Sequence, residues 1–194
     1  DGEHYPQISS DGKRLVKYSF KTGKEVATIF DVETARDCTI KHFDDYIMSP
    51  NESLILIQTD TKPIYRHSFT ANYYIFNVKN NKMEPLSTGG PQQVPLFSPD
   101  GNQIAFVRNN NIYLVKLLFN NSESQITTDG KYNEVLNGIP DWVYEEEFGF
   151  NRAFDFSADS KMIAYIRFDE SKVPMYSFPL YKGCLLYTSP SPRD

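Results

Sequence analysis

The residues in this sequence best suited to chemistry are three consecutive carboxylates. They close the string Asp141-Trp142-Val143-Tyr144-Glu145-Glu146-Glu147, in a region otherwise composed of short strand-like segments. Runs of glutamate are ordinarily solvated faces. Here the flanking Trp142, Tyr144, Phe148 and Phe150 are aromatic, which argues for anchoring against a core. Like charges at a partly buried site repel, and a cation has to offset them. A ligand amine is the small cation that suits. An α-amino group has a pKa of about 8, so it is mostly protonated at neutral pH. Two carboxylates in a partly dry pocket would bind it and hold it charged. An interior peptide segment offers no such amine, so the arrangement would recognise a chain end.

Local geometry decides whether two adjacent glutamates can share one ligand. In a strand, neighbouring side chains point to opposite faces. The segment from Val143 to Phe150 instead suits one or two helical turns, with Asp141 as N-cap and acidic residues near the positive end of the dipole. A helical turn lets Glu146 and Glu147 lean toward one ligand more easily.

Other reactive patterns are missing. No Gly-x-Ser-x-Gly elbow occurs, so the chain carries no α/β-hydrolase nucleophile. His4, His42 and His67 lack metal-ligand spacing. Thr88-Gly-Gly-Pro91 is a turn without the Lys of a phosphate loop. Asn51-Glu-Ser53 and Asn120-Asn-Ser122 match the glycosylation triplet, a pattern frequent by chance.

The elements that must position these carboxylates repeat along the chain. Three segments share a Ser, then Pro or Ala, then Asp or Asn, followed by an apolar strand. They are Tyr46 to Ile57, Leu96 to Val107 and Phe154 to Ile166, with Ser49, Ser98 and Ser157 aligned at separations of 49 and 59 residues. Ile8 to Val16 is a fainter copy. Ser-Pro-Asp-Gly is turn chemistry, and the strands that follow are β-branched and aromatic. A period of about 45–50 residues is that of a β-propeller, one four-stranded blade per repeat. The longer third interval must contain an insertion, and the acidic string lies inside it. Insertions of this kind map to loops on one, often binding, face.

The chain has 194 residues, 40% hydrophobic and 14% aromatic, enough for one domain with a real core. Its net charge of -5 argues against a nucleic-acid partner. No stretch reaches the roughly 20 apolar residues of a membrane span. Residues 183–194 read as a non-native tail. From Cys184 the string resembles one translated frame of a transposon-type sequencing adapter, so Cys184 and Cys38 are not expected to form a disulfide and the tail is expected to stay unpacked.

Residues 1–182 resemble the N-terminal propeller domain of dipeptidyl peptidase IV-type serine peptidases. The resemblance is carried by Tyr65-Arg66-His67-Ser68 and by Asp141 to Glu147. The blade pattern between them and Tyr132-Asn-Glu-Val-Leu-Asn-Gly-Ile139 agree in order. It implies an all-β partial β-propeller, about half of an eight-bladed one, with the catalytic α/β-hydrolase domain absent from this chain. It implies substrate-binding roles for Glu146 and Glu147, on the free amine, and for Arg66, on the carbonyl of the penultimate substrate residue. Glu145 is left the smaller part. The implied parent is a serine-type dipeptidyl-peptidase acting on Xaa-Pro or Xaa-Ala peptides with a free N-terminus. The resemblance implies no cofactor and no metal, a periplasmic or cell-surface location, and leaves a homodimeric parent open. The alternative is a non-catalytic relative whose propeller binds proteins or peptides. Phe148-Gly149-Phe150 stands where the family often has a small polar residue, which sets the neighbouring pocket wall apart.

Overall fold

Each repeat opens with the same side-chain turn. The hydroxyls of Ser9, Ser49, Ser98 and Ser157 donate to Asp11, Asn51, Asp100 and Asp159 at 2.6, 2.9, 2.5 and 2.6 Å. Each hydroxyl then accepts the amide of Arg14, Leu54, Gln103 or Met162, at 2.9–3.0 Å. One serine thus closes the reversal and starts the next strand, as its polar neighbours suggest. The residue two positions before that amide is left-handed every time: Gly12, Glu52, Gly101 and Ser160 have φ of 67°, 58°, 72° and 61°.

The computed structural model describes residues 2–175 and the backbone of two strands beyond, 177–182 and 185–190. The first blade has strands β1 (His4–Ile8), β2 (Arg14–Ser19) and β3 (Glu25–Asp31), paired in that order. The second has β4 (Asp45–Met48), β5 (Leu54–Pro63), β6 (Phe69–Asn77) and β7 (Lys82–Pro85). The third has β8 (Gln93–Phe97), β9 (Gln103–Arg108), β10 (Asn111–Lys116) and β11 (Ser122–Gln125). All neighbours are antiparallel. The fold is an all-β partial propeller whose sheets are open.

The cores lie between sheets, because alternate residues of each central strand face opposite sides. From β5, Ile55 and Ile57 pack with Leu15, Phe30 and Phe76 toward the first blade. Leu56 faces the other way, joining Phe97, Ile104 and Phe106 of the third. From β9, Ala105 and Val107 face the fourth blade, against Ile139 and Phe154.

The fourth blade contains the insertion. Strand β12 (Val135–Asn137) pairs with β15 (Arg167–Asp169), and β13 (Phe154–Phe156) with β14 (Ile163–Tyr165). Ile166, between β14 and β15, accepts from Gly138 and donates to Ala153, at 3.0 and 2.8 Å. Gly138 also accepts from the Ala153 amide at 2.9 Å. So β12 and β13 are two halves of one strand line, interrupted by an excursion over 139–152 that holds the acidic string.

Beyond this, β16 (Ser177–Lys182) and β17 (Leu185–Pro190) form an antiparallel pair. The tail is therefore not wholly unpacked as expected: Leu185-Leu186-Tyr187-Thr188 has the apolar, aromatic and β-branched composition that pairs with an available strand. Residues 183, 184 and 191–194 lie outside the described residues, and with them Cys184. Cys38 is half-buried, its thiol donating to the Ile40 carbonyl at 3.7 Å.

Candidate functional site

The acidic string forms helix α1 (Trp142–Phe148). Asp141 caps its start, accepting the Tyr144 amide at 2.8 Å. Gly149 ends it in the left-handed conformation at φ 69°, donating to the Glu145 carbonyl at 2.9 Å. The Tyr144 ring packs edge-on to Phe168 of β15, centroids 5.1 Å apart, which ties the helix to its blade. Successive helical residues are about 100° apart, so the three glutamates fan out rather than sharing one face.

The other half of the site is an arm made by β5 and β6. These strands outrun β4 and β7, and a register shift between Thr59 and Lys62 with Asp60 at φ 55° redirects the arm. Asp44 steadies its base, accepting the Thr61 amide and hydroxyl at 3.0 and 2.7 Å. The tip closes where the Ile64 amide donates to the Ser68 carbonyl at 2.9 Å. Arg66 and His67 sit on that tip.

Arm and helix meet. Arg66 Nε lies 3.1 Å from Glu146 Oε2, with the Arg66 side chain 71% exposed and that of Glu146 23% exposed. Glu145 is 1% exposed and turns inward, where Oε1 accepts the amides of His67 and Ser68, each at 2.8 Å. Asn151, just past the helix, donates to the His67 carbonyl at 2.9 Å. Of the residues picked out from sequence, Arg66 and Glu146 are thus in contact. Glu147, the next helical position, is exposed. Glu145 is the one sequence reasoning undervalued. Its signal was helical spacing: it lies three residues after Trp142 and four after the N-cap, on the side facing the protein.

A cavity of about 700 Å³ lies against the buried side of this contact, lined by Tyr65, Phe69, Leu136, Ile139, Trp142 and Glu145 among others. Burial, with smaller contributions from Tyr132, Glu170 and Glu145, pushes the Tyr65 phenol above its ordinary pKa. Among the described residues no group of three or more His, Cys, Asp or Glu is placed to hold a metal ion.

The profile of the dipeptidyl peptidase IV (DPP IV) N-terminal region matches residues 49–189. The chain belongs to this family. Dipeptidyl peptidase 4 of Trichophyton equinum is 36% identical over 197 residues, covering 100% of this chain and 24% of that protein. The probable dipeptidyl-aminopeptidase B of Talaromyces stipitatus is 40% identical over 148 residues, covering 74% and 16%. The crystal structure of Porphyromonas gingivalis dipeptidyl peptidase 4 superposes with a TM-score of 0.89 at 45% identity, over 98% of this chain and 28% of that one. A putative dipeptidyl aminopeptidase IV from Bacteroides ovatus, at 17% identity and TM-score 0.55, shares the fold. The chain thus spans about a quarter of the length of such DPP IV relatives. The match of the N-terminal-region profile includes both the arm bearing Arg66 and the helix bearing the glutamates.

Proposed function

We propose that this chain is the substrate-recognition segment of a serine exopeptidase that releases N-terminal dipeptides, with Xaa-Pro or Xaa-Ala substrates preferred. Glu146 and Glu147 take the substrate's ammonium, and Arg66 takes a backbone carbonyl. The observation that carries this reading is the meeting of Arg66 and Glu146 across 80 residues of sequence, on a protruding arm and an inserted helix. Among the described residues only Nε of Arg66 is engaged, which leaves its terminal nitrogens to donate to a ligand oxygen. Glu146 is already held by one cation and keeps further acceptor capacity for a second.

Such a clamp acts as a ruler. It fixes the chain end at a set distance from a nucleophile outside this chain, so only the bond two residues in is presented. Family membership and the names of the relatives support a peptidase parent. The partner surfaces of the proposal are a peptide with a free N-terminus and an α/β-hydrolase domain bearing the serine.

Steady-state kinetics of the full-length protein on a Xaa-Pro substrate tests this. Each charged hydrogen bond contributes about 1.5–3 kcal/mol, so Glu146→Ala and Glu147→Ala should each lower kcat/KM roughly ten- to hundredfold. Acetylating the substrate's N-terminus should abolish most cleavage. Wild-type kinetics in both variants, or equal cleavage of the acetylated substrate, would refute the clamp.

A further inference from the structure

We propose that Glu145 is the positioning residue of this site: its buried carboxylate latches the tip of the β5–β6 arm onto helix α1, so that Arg66 and Glu146 reach a ligand as one prearranged unit. The kinetic consequence rests on the substrate-binding reading of Arg66 and Glu146 above; the latch itself does not.

A carboxylate 1% exposed is costly unless its oxygens are satisfied. Among the described residues Glu145 has no cation partner. Arg66 is bonded to Glu146 instead. What satisfies Glu145 is a pair of consecutive backbone amides, those of His67 and Ser68, both on Oε1 at 2.8 Å. These are charge-assisted bonds, about twice as strong as neutral ones. Neither amide has another acceptor among the described residues. The helix does not need this carboxylate for its own sake, since Asp141 and Gly149 already cap both ends.

The other ties between arm and helix are weaker. Asn151 donates one neutral bond to the His67 carbonyl. The Arg66–Glu146 pair is largely open to water on the arginine side, and exposed pairs contribute little. Yet that pair is the geometry a ligand would meet, and Arg66 directly precedes the two latched amides. Removing the latch frees the arm to swing, and the 3.1 Å approach of Arg66 to Glu146 is then no longer enforced.

The test compares wild type, Glu145→Ala, Glu145→Gln, Arg66→Ala and the Glu145→Ala/Arg66→Ala double variant of the full-length protein. Hydrogen–deuterium exchange is followed in the peptide spanning 64–70, and kinetics on a free-amine Xaa-Pro substrate. Glu145→Ala should speed exchange at His67 and Ser68 by about tenfold or more. It should raise KM and lower kcat/KM about as much as Arg66→Ala does, roughly tenfold. The double variant should be no worse than the poorer single one, because Glu145 acts through Arg66. Glu145→Gln keeps a carbonyl oxygen for both amides and should restore most of each effect. Should Glu145→Ala not fold, Glu145→Asp, one methylene short, poses the same question with the charge retained. Unchanged exchange at both amides, or kinetic losses that multiply in the double variant, would overturn the proposal. Wild-type kinetics in Arg66→Ala would remove the carbonyl-binding role of Arg66, and the exchange data would then decide the latch alone.

Discussion

Gly138 sits where the chain leaves the fourth blade for the helix that carries the carboxylates. Its φ is 75°, a left-handed value that side chains resist. An added methyl would also lie 3.0 Å from Ile112 Cδ1 and 3.1 Å from Phe154 Cδ1, inside the core between the third and fourth blades. Both penalties act together, so Gly138→Ala should destabilise the protein by about 1–3 kcal/mol. A shift of the urea midpoint with unchanged slope would record it, and an unchanged midpoint would show that the exit point tolerates a side chain. The glutamates give the same lesson at this scale. Three identical residues in a row have three different surroundings: Glu145 is buried under two amides, Glu146 faces an arginine, and Glu147 is exposed.

At the scale of elements, the blade-opening turns carry a pH dependence. The Ser98 hydroxyl, and then the Asn102 amide, hold the Asp100 carboxyl below its ordinary 3.8. Ser9 with the Lys13 amide, and Ser157 with the Lys161 amide, do the same for Asp11 and Asp159. A carboxyl whose folded pKa is depressed contributes stability that is present above its unfolded value and lost as pH falls through the folded one. The second blade shows how to remove the titration and keep the turn, because Asn51 accepts the Ser49 hydroxyl in the equivalent position at 2.9 Å. Asp100→Asn should therefore lose less stability than wild type between about pH 5 and about pH 2. Denaturation at the two pH values measures this; an equal loss in both proteins would show that the turn carboxylate contributes nothing.

For the whole molecule, packing between sheets makes the second and third blades each part of two cores. It also holds the β5–β6 arm of the second blade against the inserted helix of the fourth. Arg66 and the glutamates are thereby gathered on one side while the sequence supplies no nucleophile elbow. The purified 194-residue chain should accordingly release no chromophore from a Gly-Pro or Ala-Pro substrate. Turnover above the blank would place a nucleophile within this chain. The single tryptophan, Trp142, stands at the first position of α1, so its fluorescence follows the helix in the same sample.

What the sequence determined by itself was local or periodic. Ser9, Ser49, Ser98 and Ser157 announce the turns because hydroxyl, Asp or Asn side-chain oxygen and backbone amide lie within five residues of one another. The uneven repeat located the insertion, and Asp141 marked the start of a short helix expected over 143–150, which the structure ends at Gly149. Arg66 and Glu146 were paired in advance only through family resemblance, since nothing in the intervening 80 residues requires them to touch. Tertiary structure decided how deeply Glu145 is buried, at 1% exposed, beside an exposed Glu147. It also decided that the arm tip offers two amides to Glu145 and that Leu185–Pro190 pairs with Ser177–Lys182. The reason is physical: turns and caps are satisfied by neighbours in sequence, whereas burial of a charge depends on which distant backbone groups the fold brings to it.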